Sequence, residues 1–164
     1  MKVIEDVMLE MIRYYHNDPK RIQHFTKVHA YAALIGKMEG LSGQEQETLE
    51  LAALVHDIGI KPAEEKYKDC NGKLQEEEGP KPAGELLSRF DIKEDKIERI
   101  KYLVGHHHTY QAIDGLDYQI LVEADFIVNA YEDSLEKENI KTLRDRIFKT
   151  KAGIAILEEM FDLR

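Results

Sequence analysis

The chain is predicted to be all-α, a single compact helical bundle, from three observations. Apolar residues recur at three- and four-residue spacing in successive segments, capping residues bound those segments, and no alternating stretch of strand character stands out. At 164 residues the chain suits one domain with one core and is too short for two, so one domain over residues 1–164 is expected. No internal repeat is visible.

Val3, Ile4, Val7, Met8, Met11, Ile12 and Tyr15 give a first amphipathic helix that stops near His16 and Asn17. Asp18-Pro19 opens the second. The aspartate accepts from a free first-turn amide, and proline tolerates the next position because its missing N–H is no loss there. This helix runs to about Glu39 before Gly40 and carries His24, Val28, Tyr31 and Ile35 along one stripe. Ser42 with Glu45 three residues later is a capping box, and it launches a third helix through Leu49, Ala52, Ala53 and His56, with Gly59 as a left-handed terminator.

In residues 61–81 the periodicity fails, and Pro, Gly, Asn and the run Glu76, Glu77, Glu78 appear, so a long loop with at most one short helical turn is expected there. Loops of that length in compact domains are usually functional or disordered. A helix resumes over residues 83–90, and Ile97, Ile100, Leu103, Val104 and His107 mark another. Asp114-Gly115 is a turn signal. Residues 118–131 form a helix with Leu121, Asp125 and Val128 inward, and residues 143–161 supply one or two terminal helices.

Charge and cysteine content exclude several classes of function. Lys and Arg number 23 against 32 Asp and Glu, a net charge of −9, with the basic residues dispersed among acids. No large nucleic-acid surface and no anionic-membrane docking face are expected. A small phosphorylated substrate stays open, because a bound divalent cation reverses the local field. Cys70 is the only cysteine, so no intramolecular disulfide forms, and its isolation argues against a reactive role. The longest apolar stretch, residues 30–36, falls far short of the roughly 18 residues that span a bilayer. The N-terminus does not read as a secretory signal, so a cytoplasmic location is expected.

Four polar residues break this apolar pattern. His56-Asp57 closes the run LAALVHDIG at a helix C-terminus, His24 lies 32 residues upstream of His56, and Asp125 lies 68 residues downstream of Asp57, each in an apolar stripe. Buried charged groups are costly without partners, and a metal ion is the simplest shared one. Imidazole nitrogen with carboxylate oxygen suits Mn²⁺, Fe²⁺, Co²⁺, Ni²⁺, Zn²⁺ or Mg²⁺ rather than an oxygen-only Ca²⁺ site. Such an ion lowers the pKa of water to about 7 in favourable zinc cases and neutralises a phosphoryl oxygen, help that slow phosphate-ester hydrolysis needs. His29 faces elsewhere and reads as an interior histidine.

His24, His56-Asp57 and Asp125 resemble, in order, spacing and helical context, the four ligands of the HD-domain phosphohydrolase superfamily, and HFTKVHAYA resembles the continuation of its first ligand helix. The resemblance covers about residues 20–131. It implies an all-helical metallohydrolase acting on nucleotides or other small phosphate esters, with metal ligands His24, His56, Asp57 and Asp125. GHHHTYQAIDG resembles the paired histidines of dinuclear members, but their further histidine is replaced here by Gly79 in Gly79-Pro80-Lys81-Pro82-Ala83-Gly84, so one ion is expected. The GYP element of cyclic-dinucleotide phosphodiesterases is absent. The glutamate that activates water in some nucleotidases is Ile60 here. The catalytic set expected is therefore Asp57, with His106 or His107 as base or phosphate contact and Lys61 neutralising phosphate charge. Two rival readings stand beside this one: a di-iron oxygenase of the same superfamily, and a regulatory module that binds a nucleotide without turnover.

Overall fold

The computed structural model describes residues 2–163. It contains ten helices and no strand among the described residues: α1 (Lys2–Tyr14), α2 (Pro19–Met38), α3 (Gly43–Val55), α4 (Ile60–Tyr67), α5 (Gly72–Glu78), α6 (Pro80–Leu87), α7 (Glu94–Val104), α8 (Leu116–Glu132), α9 (Lys137–Ile147) and α10 (Lys151–Phe161). None is long and apolar enough to cross a membrane.

The helix starts follow the capping chemistry. Asp18 accepts from the Arg21 amide with Pro19 in the first turn of α2, and Ser42 and Glu45 form both bonds of the capping box on α3. Gly40 ends α2 with φ +78°, the left-handed region where a side chain is strained.

Helices α3 and α8 lie at the centre. Leu49, Leu51, Ala52, Ala53, Leu54 and Val55 of α3 are fully buried, as are Ile120, Leu121, Ala124 and Ile127 of α8. A helix apolar around its whole circumference has to be enclosed by others. Helix α2 packs against both, α1 and α7 cover α3, and α10 covers α8. Their buried apolar residues form one continuous cluster. Burying each leucine side chain contributes about 1.5–3 kcal/mol, so this centre is the rigid part on which a site can be built.

The long loop expected at residues 61–81 is instead two short helices, α4 and α5, and the start of α6. Helix α4 ends at Lys68 in the left-handed conformation (φ 55°), and Asn71 caps α5 by accepting from the Leu74 amide. Helices of eight and seven residues are too short to show an apolar stripe, and α5 buries no residue at all. Gly59 also departs from expectation. Its φ is −74°, and it starts α4 rather than terminating α3 in a left-handed turn. Space demands the glycine, because a Cβ there would sit 2.5 Å from the Gln75 carbonyl oxygen and 2.7 Å from the Gly79 nitrogen.

Candidate metal centre

The end of α3 and the interiors of α2 and α8 bring four ligand-type side chains together. His56 is the C-cap of α3 and is completely buried, with its Nδ1 2.7 Å from the Ala53 carbonyl oxygen. Carbonyls in the last turn of a helix have no partner within it, so Nδ1–H donates there and Nε2 is left as the free nitrogen. The turn that follows is held by α1: the Tyr15 hydroxyl donates to the Asp57 carbonyl at 2.6 Å and the Tyr14 hydroxyl to that of Ile58 at 3.0 Å. Burial and the nearby Asp57 charge push the Tyr15 phenol well above its ordinary range, so it stays a donor.

His24 Nε2 lies 3.1 Å from Asp57 Oδ2, 3.2 Å from Asp125 Oδ1 and 3.3 Å from His56 Nε2, while His56 Nε2 lies 3.3 Å from each of the same two oxygens. His24, His56 and Asp57 offer three ligand atoms close enough together to hold one ion, and Asp125 Oδ1 lies against both imidazoles of that group. Asp125 Oδ1 is buried without a hydrogen bond, as is His107 Nε2. Buried polar atoms are rarely left unpartnered, so these two call for a ligand or a cation. The donor set fits a borderline or hard divalent ion.

A second group shares Asp57. Its other oxygen, Oδ1, is 3.4 Å from His107 Nε2, and Asp57, His107 and His108 can together present three ligand atoms. His107 is fully buried, with Nδ1 2.8 Å from the Val104 carbonyl at the end of α7. His108 Nε2 is 2.8 Å from Gln75 Oε1 on α5, and the His108 backbone N–H donates to Glu76.

Two residues expected at the site are elsewhere. His106 stacks on Tyr102 with ring centroids 4.0 Å apart, and its Nδ1 faces the Tyr102 carbonyl. The turn after α7 directs the next two histidines inward and this one out. Lys61 is exposed, donates to the Tyr14 carbonyl at 3.2 Å and lies over the Tyr14 ring, because successive helical residues point about 100° apart and Ile60 takes the inward direction. His29 meets Glu50 between α2 and α3, away from the centre.

His24, Asp57 and Asp125 line a cleft of about 190 Å³. Ile60, Gln75 and His108 form one wall, Asn129 and Glu132 of α8 another, and Lys20 and Arg21 the rim. The Arg21 charge is shared with Asp18 and Glu64, whereas Lys20 is exposed. Residues 61–81 therefore reach the cleft through Gln75 on α5 and not through Lys61. Gln75, His108 and Glu132 were not singled out as individual site residues by the sequence. Glu132 follows Asp125 by seven residues, two turns along the same face of α8, but its place at the site comes from the packing of α8 on α2.

Charge in the cluster is strongly coupled. Burial works against protonation of His24 and His56, but the Asp125 and Asp57 carboxylates outweigh it and push the two imidazoles up to about 11 and about 10. Burial likewise opposes ionisation of Asp57 and Asp125, yet the surrounding histidines hold both well below the usual carboxylate range. His108 moves the other way: burial and the neighbouring His107 bring it down to about 4, so it is neutral near pH 7. The Glu132 carboxyl, despite its burial, is held below its ordinary value by Lys27 and His24.

A family model of the HD domain matches residues 21–150. The fold resembles the crystal structure of a predicted HD superfamily hydrolase from an uncultured Thermotogales bacterium, with a TM-score of 0.67 and 22% identity over 99% of this chain and 85% of that one. No curated protein matches. With the family model spanning most of the chain and the four ligand-type residues converging inside it, this protein belongs to the HD domain family.

Proposed function

We propose that the chain is a metal-dependent phosphohydrolase that cleaves a P–O bond of a nucleotide or other small phosphate ester. The observation that carries this reading is that His24 Nε2 and His56 Nε2 lie 3.3 Å apart and each lies 3.1–3.3 Å from carboxylate oxygens of Asp57 and Asp125, beside a cleft. The Thermotogales protein of similar fold is named a predicted hydrolase, which agrees with it.

These four residues would hold the divalent ion, which supplies Lewis acidity at the phosphoryl oxygen and lowers the pKa of the attacking water. The chain supplies the rest. Lys20 at the rim offers a cation to an incoming phosphate in a protein that is otherwise acidic. The Val104 carbonyl takes the Nδ1 proton of His107, so its buried Nε2 is the base that faces the reaction beside Asp57. Asp57 belongs to both groups, with one oxygen toward His24 and His56 and the other toward His107. Lys61 and His106 take no part in this scheme.

A second reading concerns the number of ions. The three donors of Asp57, His107 and His108 favour a two-ion centre over the single ion expected from the sequence. Metal analysis of the purified protein, with phosphatase and phosphodiesterase panels in Mn²⁺, Co²⁺, Ni²⁺, Mg²⁺ and Fe²⁺, tests both. Turnover of a phosphate ester that stops on chelation is the expected result. Nucleotide binding with no product in any metal would replace the enzyme by a regulatory module, and an obligatory dioxygen requirement would replace it by an oxygenase.

A further inference from the structure

Three of the inward histidines, His24, His56 and His107, are oriented in two different ways. His56 and His107 stand at helix C-termini, where Nδ1 meets a free carbonyl three residues back, Ala53 at 2.7 Å and Val104 at 2.8 Å. His24 has no such carbonyl. It lies in the sixth position of the 20-residue α2, where the preceding carbonyls are taken by the helix's own amides. Its Nδ1 partner comes from another helix: Glu132 Oε1, at 2.7 Å, from the last residue of α8. The second oxygen, Glu132 Oε2, is 2.7 Å from Lys27 Nζ, so the carboxylate is tied to α2 at two points.

We propose that Glu132 is the positioning residue for His24: it accepts the Nδ1 proton, fixes the ring with Nε2 toward Asp57 and Asp125, and raises the basicity of that nitrogen as a ligand. Carboxylates that hold a ligand histidine in this way are worth about 10–100-fold in metal affinity. Glu132 does this across the α2–α8 contact that also brings Asp125 to the site, so the closing of these two helices and the orienting of the first ligand are one event. Among the three histidines it is the only orienting group that substitution can remove, because the other two are main-chain carbonyls.

The inference rests on the metal reading above, and the test separates the two. Co²⁺ affinity is measured by titration for the unsubstituted protein, Glu132→Ala and Glu132→Gln. The alanine variant is expected to bind about 10–100-fold more weakly, and the glutamine variant, which keeps an acceptor oxygen, less than about tenfold more weakly. In Zn²⁺-loaded protein labelled with ¹⁵N-histidine, the exchange-protected Nδ1–H signal of His24 should be lost in Glu132→Ala and kept in Glu132→Gln, while those of His56 and His107 persist in both. A merely structural role for Glu132 would not single out one imidazole. Unchanged affinity in both variants, or a His24 signal that stays protected in Glu132→Ala, overturns the positioning role alone. If the unsubstituted protein takes up neither ion, the metal reading falls and this role falls with it.

Discussion

Uptake of a divalent ion should depend steeply on pH, and the cluster geometry sets how steeply. With no cation between them, His24 and His56 each place Nε2 within 3.1–3.3 Å of two carboxylate oxygens, and that attraction raises them to about 11 and about 10. Near pH 7 these imidazoles therefore carry protons that a cation must displace, because it needs the same lone pairs. The two Nε2 atoms are only 3.3 Å apart, and this opposes a second positive charge, so one to two protons should leave per ion. Apparent affinity then rises about 10–100-fold per pH unit, because each proton released contributes one power of ten. Calorimetric titration of chelator-treated protein with Co²⁺ at about pH 6, 7 and 8, in buffers of different ionisation enthalpy, measures both the affinity and the proton count. An affinity flat to within about threefold, or release of less than about half a proton, would show that the histidines are already neutral and that the charge network has been misread. The same shifts set the stability of the metal-free protein. The histidines are raised, so their contribution is complete below about pH 6.5 and is lost as pH climbs through about 10 and about 11. Asp57 and Asp125 are depressed, so theirs is present above about pH 4 and is lost on acidification. The melting temperature in chelator should therefore peak between about pH 4 and 6.5 and fall on both sides.

Three further outcomes are expected. Asp125→Asn should weaken Co²⁺ binding at least about 100-fold and abolish turnover with it, because it removes the charge of an oxygen that is buried without a hydrogen bond; direct titration and the ester assay measure the two effects. His107→Ala should lower kcat by about 10²–10⁴-fold, the range for a general base, while His106→Ala and Lys61→Ala stay within about threefold, since His106 lies against Tyr102 and Lys61 against Tyr14. Glu123→Ala should cost about 3–5 kcal/mol, roughly 10 °C in Tm for a chain of this length, by thermal melting. The Glu123 carboxylate is completely buried and accepts from Gln119 at 2.6 Å, the Thr150 hydroxyl at 2.6 Å and the amides of Lys149 and Thr150 at 2.9 and 3.1 Å, pinning the start of α10 to α8.

The parts of the fold that could be read from the chain are those where one residue type has one local job. Asp18 and Ser42 satisfy free amides of the helix that follows, and Gly40 adopts a left-handed φ, so these boundaries could be placed without any knowledge of the tertiary structure. Helices α4 and α5 could not be read. Each has about two turns, and what keeps them is contact between chain segments far apart in sequence, such as the backbone of Gly59 against that of Gly79 and the His108 amide on Glu76. Gly59 resembled a helix terminator because the pattern records the absence of a side chain and not the reason for it.

The site divides along the same line. His24, His56, Asp57 and Asp125 stood out because each interrupts an apolar stripe, and burial of a polar group is a cost that local sequence displays. The direction of a side chain in a turn is not displayed. The three consecutive histidines differ only in where the chain turns after α7, so one of them stacks on Tyr102 while the next two face Asp57. Glu132 was hidden for a different reason: a glutamate at the end of a helix is ordinary on a surface, and its role exists only once α2 lies against α8 with His24 in reach. A ligand that is costly to bury shows itself in its own segment, whereas a group that only orients a ligand shows itself in the packing. For a metal site assembled from three helices, the chain therefore reveals what can bind before it reveals how tightly.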